Sequence, residues 1–145
     1  MNYKIQIKRV HKNAVIPSYQ TPGSAGFDFH LVEDIIIAPR AIAKVPTGLV
    51  INVPDKHVLL IPSRSSSPLR KGVTVANAIG VVDSDYCGPN DEIFLLILNL
   101  TDEPVELKIG DRLAQGLIVP VLQAEIKEVE EMPGTDRGGH GSTGC

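Results

Sequence analysis

A chain of 145 residues with 43% hydrophobic and 21% charged residues fits one globular domain and excludes an intrinsically disordered polymer. Aromatic residues reach only 4% and Trp is absent, so the core must be built from Val, Ile and Leu. A formal net charge of -3, with no block of Lys and Arg, lacks the basic footprint of a nucleic-acid binder. It directs attention to a small-molecule partner instead.

Two cysteines, Cys87 and Cys145, make neither a disulfide framework nor a zinc spacing. They fit a reducing compartment. The first residues mix charges with apolar side chains and contain no long apolar stretch of the kind found in a signal peptide. No apolar run approaches the ~20 residues that span a bilayer. The expectation is a soluble, cytoplasmic protein without a membrane partner.

In chain order, the recurring pattern is alternation with period two. Residues 4–9 place Ile5 and Ile7 on one face; residues 105–109 place Val105, Leu107 and Ile109 on one face, with Glu106 and Lys108 between them. Residues 93–98 and 116–122 are instead continuously apolar, which predicts strands covered on both faces, inside a barrel or against another subunit. Turn signals separate these runs: Thr21-Pro22-Gly23, Pro54-Asp55, Gly88-Pro89-Asn90-Asp91 and Ile109-Gly110-Asp111. With 11 prolines and 13 glycines, long helices have little room. The fold class expected is all-β, a sandwich or barrel.

One short helix is predicted within residues 63–72, where serines offer caps, Pro68 suits the first turn, Arg70 and Lys71 the last, and Gly72 the stop. Arg64, Ser65 and Ser66 at its start suit an anion. An ordinary Ser cap beside a surface Arg explains the segment equally well. Downstream, Asp83-Ser84-Asp85-Tyr86 would carry both carboxylates on one side of a strand, and one of them near a phosphate could deprotonate water. Two turn-forming aspartates at a strand end are the commoner explanation of such a pair, and Tyr86 alone suggests packing. Arg112 and Gln115 could reach a ligand or serve a turn and a core amide. His11, His30 and His57 occur in unrelated contexts, and no metal site is expected from them. The residues from Met132 onward have almost nothing to bury. They could nonetheless close over phosphates through backbone N–H groups.

The order of these segments carries more than any one of them. Ala25-Gly26-Phe27-Asp28, Arg64-Ser65-Ser66, Gly80-Val81-Val82-Asp83-Ser84-Asp85-Tyr86, Gly110-Asp111-Arg112-Leu113-Ala114-Gln115 and Arg137-Gly138-Gly139-His140-Gly141-Ser142-Thr143-Gly144 follow one another. This resembles the ordered motifs of the trimeric dUTPase family, from about Pro17 to the C-terminus. The resemblance implies a jelly-roll-like β subunit with one short helix, assembled as a homotrimer. It divides the chain into a domain over 1–131 and a lid segment over 132–145, the tail of one chain capping a pocket made by two others.

The same resemblance implies roles by position. Asp83 would be the general base for water attacking the α-phosphorus of dUTP, releasing pyrophosphate and leaving dUMP. Asn77 with Gly80, Val81 and Val82 would form a β-hairpin pocket for uracil, and Tyr86 would lie under the deoxyribose. Arg64, Ser65, Ser66 and Gln115 would hold phosphates, with Asp28 in the polar network around the phosphates and their metal-bound waters. Arg137, Gly141, Ser142 and Thr143 would close over the phosphate end, and His140 over the base. Magnesium would enter as the nucleotide complex, bound by phosphate oxygens and water, with no direct protein ligand.

The chain departs from the family pattern at named places. Its tail motif is shorter than the commonest form, His140 replaces the usual Phe, Cys87 stands where Arg or Gln is more common, and the turn over residues 88–92 is longer. Two alternatives share some of these features. A dCTP deaminase on the same fold shares the Arg-Ser-Ser segment, but the Asp83–Tyr86 motif and Gly-rich tail favour the hydrolase. A nucleotide-binding regulatory protein is disfavoured by the retention of Asp83.

Overall fold

A computed structural model describes residues 4–139. Among them are eleven strands: β1 (Gln6–Arg9), β2 (Phe27–His30), β3 (Ile35–Ile37), β4 (Ile42–Pro46), β5 (Leu49–Asn52), β6 (His57–Pro62), β7 (Val73–Val75), β8 (Ile79–Val82), β9 (Phe94–Asn99), β10 (Val105–Leu107) and β11 (Arg112–Pro120). Every pairing is antiparallel. A four-stranded sheet runs β2-β11-β6-β8 and a three-stranded sheet runs β4-β9-β7, with the pairs β1-β5 and β10-β3 completing the shell. The all-β, sandwich-like expectation is met.

Both larger sheets turn one face to a single aliphatic core. Phe27 and Phe29 of β2, Leu59 and Ile61 of β6, and Leu113 of β11 meet Val45, Val73, Val75, Leu95 and Ile97 from the other sheet. Alternation accounts for this on β9: Leu95 and Ile97 are buried, whereas Phe94 is 37% and Leu96 39% exposed. The double-sided burial expected for this run is therefore not completed within one chain. Its outer face is free for a neighbour. A buried Asn99 closes the strand, donating through Nδ2 to Ile37 O (3.0 Å), Ala38 O (3.1 Å) and Glu103 O (2.7 Å).

The helix is shorter than the sequence suggested. It is one π-type turn, Ser67–Lys71, with Ser66 at the cap position but no side-chain cap bond, and Gly72 in the left-handed region at φ 66° as its stop. The serines serve the sheets instead. Ser63 Oγ accepts from Val75 N–H at 2.7 Å, and buried Ser67 donates through Oγ to Leu113 O at 2.7 Å. Those bonds tie the segment to β7 and β11 and confine helical winding to what lies between.

Strand pairing ends at Pro120, and every residue over 122–139 is exposed. The expected apolar strand over 116–122 therefore stops early, and Leu122 is fully exposed. Among the described residues, no helix is long and apolar enough to cross a membrane.

Candidate functional site

Two clusters gather most of the expected residues that fall among the described ones. The first lies where β2 and β11 pair. Asp28, with a side chain only 9% exposed, accepts from Arg64 Nε at 3.0 Å on one oxygen and from Arg112 Nη1 at 3.1 Å on the other. Arg64 is held to β11 by its own backbone as well, its N–H donating to Leu113 O at 2.9 Å. Gln115 stands opposite Asp28 in register, and its Nε2 is 3.5 Å from Ser63 O. The approach beside it is close, since a Cβ on Gly26 would come within 3.0 Å of Gln115 Oε1 and 3.1 Å of Gly116 O, which favours glycine there.

Beside this pairing opens a cavity of about 270 Å³ lined by Arg64, Ser66, Arg70, Lys71, Asp111 and Arg112, among others. Lys71 Nζ sits 2.9 Å from Asp111 Oδ2, which also accepts from Lys108 N–H at 2.9 Å. Partial burial pushes the Asp111 carboxyl up, but the Lys108 N–H and the Lys71 ammonium outweigh it and leave the group below its ordinary value. After Asp28 and Asp111 are matched, the cavity keeps an excess of cations. Its chemistry suits an oxyanion.

The second cluster surrounds the end of β8. The strand stops at Val82, and Asp83–Tyr86 forms a turn closed by Tyr86 N–H on Asp83 O at 3.2 Å. The two aspartates are thus turn residues, not neighbours on one strand face. A cavity of about 310 Å³ is lined by Lys44, Val81, Val82, Asp83, Tyr86, Glu92, Ile93 and Phe94. Tyr86 forms part of its wall, 41% exposed, and its hydroxyl donates to Glu92 O at 3.0 Å. Lys44 Nζ lies 4.0 Å from the centre of the Phe94 ring. The arrangement offers a carboxylate beside a half-apolar slot with one flat aromatic face.

Not every expected residue joins these clusters. Asn77 lies in the turn between β7 and β8, but β7 pairs with β9 and β8 with β6, so the strands flanking Asn77 cross between sheets and form no hairpin with each other. Gly80 packs its backbone against Ile61 on β6. Ser65 is exposed outside the cationic cavity, and Arg137 is exposed on the segment after β11. His140, Gly141, Ser142 and Thr143 lie outside the described residues. The two cavities share no lining residue, so one chain by itself does not join the carboxylate of Asp83 to the arginines.

Sequence reasoning passed over several side chains that the fold brings in. Arg112 was one of two polar residues without a settled role, and its position opposite His30 on β2 was not readable from its turn. Glu92, Lys44 and Phe94 reach the second cavity from separate elements. No local pattern announces them.

A sequence model of the dUTPase family matches residues 12–145. A deoxyuridine 5'-triphosphate nucleotidohydrolase of Nautilia profundicola is 45% identical over 143 residues, covering 97% of this chain and 99% of that protein. Among solved structures, a dUTPase from Streptococcus mutans superposes with a TM-score of 0.76 at 33% identity, over 82% of this chain and 98% of that one. A Staphylococcus bacteriophage 80alpha dUTPase with dUPNHPP shares the fold at a TM-score of 0.87 and 24% identity, over 99% and 100% of the two chains.

Proposed function

We infer function from one premise: the chain belongs to the dUTPase family. It is a dUTP nucleotidohydrolase, converting dUTP to dUMP and pyrophosphate. In the mechanism we propose, Asp83 accepts a proton from a water that attacks the α-phosphorus in line with the departing pyrophosphate. Uracil enters the slot beside Val81 and Val82, and the Tyr86 ring lies under the deoxyribose. Arg64, Ser65, Ser66 and Gln115 hold the phosphates, and Asp28 keeps Arg64 aimed at them. The observation that carries this reading is the cavity at the end of β8, which gathers Val81, Val82, Asp83 and Tyr86 around one slot.

The active site is completed by assembly, in this reading. One chain keeps the base-bearing slot apart from the cationic cavity, and a homotrimer would bring one chain's slot against another's arginines. The outward Phe94 and Leu96 supply apolar surface for such contacts. Leu122, Ile126 and Met132, 101%, 95% and 78% exposed, would find cover on a second copy. The segment from Met132, with Arg137, His140, Gly141, Ser142 and Thr143, would then close over bound nucleotide.

Magnesium fits this site as a passenger of the triphosphate. Both oxygens of Asp28 are engaged by guanidinium groups, a donor set suited to phosphate and not to a bare cation. When bound, the ion would neutralise phosphate charge and fix the chain's conformation. Pyrophosphate release measured with dUTP, UTP, dCTP and dTTP tests the assignment: dUTP should be turned over far faster than the other three. Release from dCTP at a comparable rate, or none from dUTP, would overturn it.

A further inference from the structure

The turn over residues 88–92 follows Tyr86 closely in the chain and meets its hydroxyl at Glu92 O, and it is tied down at both ends. Gly88 N–H donates to Asp91 Oδ2 at 2.7 Å, Asp91 N–H returns to Gly88 O at 3.1 Å, and Lys8 Nζ reaches Pro89 O at 3.1 Å. At its far end Glu92 makes two contacts of different kinds. Its carboxylate Oε1 accepts from Gly48 N–H at 2.8 Å, and its backbone oxygen accepts from the Tyr86 hydroxyl at 3.0 Å.

The Gly48 end of this link is rigid. Gly48 has φ 68°, which favours glycine, and a Cβ there would lie 2.7 Å from His11 Cβ and 2.8 Å from Ala14 Cβ, so its N–H is aimed by a backbone packed too closely for a side chain. Next along the chain, Ile93 is buried, donates to Leu49 O at 2.9 Å and accepts from Thr47 Oγ1 at 2.7 Å. The Glu92 carbonyl is therefore held between a side-chain anchor and a backbone anchor, both on the β4–β5 connection. A ring tethered only at its Cα would swing about χ1. Here its far end is pinned to Glu92 O, and Glu92 is in turn anchored to that connection through Oε1.

We propose that Glu92 is the positioning residue for Tyr86, holding the ring at the angle that excludes a 2′-hydroxyl, and so setting the deoxyribose-over-ribose preference of this enzyme. The inference rests on the assignment of Tyr86 to the sugar. Glu92 acts through Tyr86 and does not act on substrate chemistry. Its loss frees the ring at the sugar contact, so the discrimination between ribose and deoxyribose changes.

Four variants separate the possibilities: Tyr86→Ala, Tyr86→Phe, Glu92→Ala and Glu92→Gln, each assayed for kcat and KM with dUTP and UTP, with Tm as a control. Tyr86→Phe keeps the ring and removes the tether; the ratio of kcat/KM for UTP to that for dUTP should rise about fivefold, as expected for one hydrogen bond. Glu92→Ala should raise it about threefold, chiefly through KM for UTP, while Glu92→Gln, which still offers Oε1 to Gly48, restores it. If Tyr86→Ala loses the preference while Tyr86→Phe and Glu92→Ala keep it, the tether is irrelevant and the inference is wrong. If Tyr86→Ala itself leaves the preference intact, the sugar assignment fails, and the inference fails with it. Should Glu92→Ala not fold, Tyr86→Phe decides the matter alone.

Discussion

Arg112 on β11 places Nη1 3.1 Å from Oδ2 of Asp28 on β2, and Arg64 occupies the other oxygen of the same carboxylate at 3.0 Å. One nearly buried anion thus holds two cations side by side, which leaves a net positive charge facing the cavity. The carboxylate between them offsets their mutual repulsion in the absence of substrate.

Removing that carboxylate should be costly in two ways. Asp28→Ala leaves two guanidinium groups close together without a counter-charge, and should cost about 2 kcal/mol, less than a fully buried pair because both arginines reach water. Urea unfolding of the variant measures it. Affinity for a non-hydrolysable dUTP analogue should fall as well, because Arg64 loses its aim. An unchanged midpoint and affinity would mean that the arginines need no such partner.

His30 adds a pH dependence to this neighbourhood. Its Nδ1 is buried without a hydrogen-bond partner among the described residues. Burial first, then Arg112 and Arg64, hold the imidazole below its ordinary 6.5 against the opposing pull of Asp28. With the folded value below the unfolded one, the unfolded chain binds the proton more readily. The stabilising contribution is present above about 6.5 and is lost as pH falls through the folded value. Tm should therefore drop between pH 7 and pH 5 more steeply for the wild type than for His30→Gln. Parallel curves would remove His30 as the source.

Asp83→Asn keeps the shape of the turn and removes the proton acceptor. Turnover of dUTP should fall about a thousandfold, with binding of the non-hydrolysable analogue nearly unchanged by calorimetry. Near-normal turnover would assign the base elsewhere.

Truncation after Met132 tests the lid. Nothing described over 133–139 is buried, so folding and assembly should survive, as read by Tm and sedimentation. Hydrolysis should fall about a hundredfold or more, since water is no longer excluded from the phosphates. A fully active truncated enzyme would deny the segment that role.

Much of this protein could be read along the chain, and the limits of that reading fall at particular residues. The alternation around Leu107 and the turn at residues 109–111 are signals within a few residues of each other, so they survive into β10 and the turn before β11. The expected helix over 63–72 shrank to Ser67–Lys71 because Ser63 and Ser67 bond to β7 and β11, partners that no local window includes. The hairpin expected at Asn77 gave way to a crossover for the same reason: β9 and β6 compete for its flanking strands.

The sequence by itself determined the strand-rich class, the aliphatic core and, through the order of its motifs, the family. Those depend on residue type and spacing, which a chain carries before it folds. Tertiary structure alone decided that Asp28 holds Arg64 and Arg112 together, that Glu92 links Tyr86 to Gly48, and that Asp83 and the arginines open onto separate cavities. The first is set by the register of β2 against β11, where a shift of one residue would turn every side chain to the opposite face, and the others by how loops from separate elements pack together.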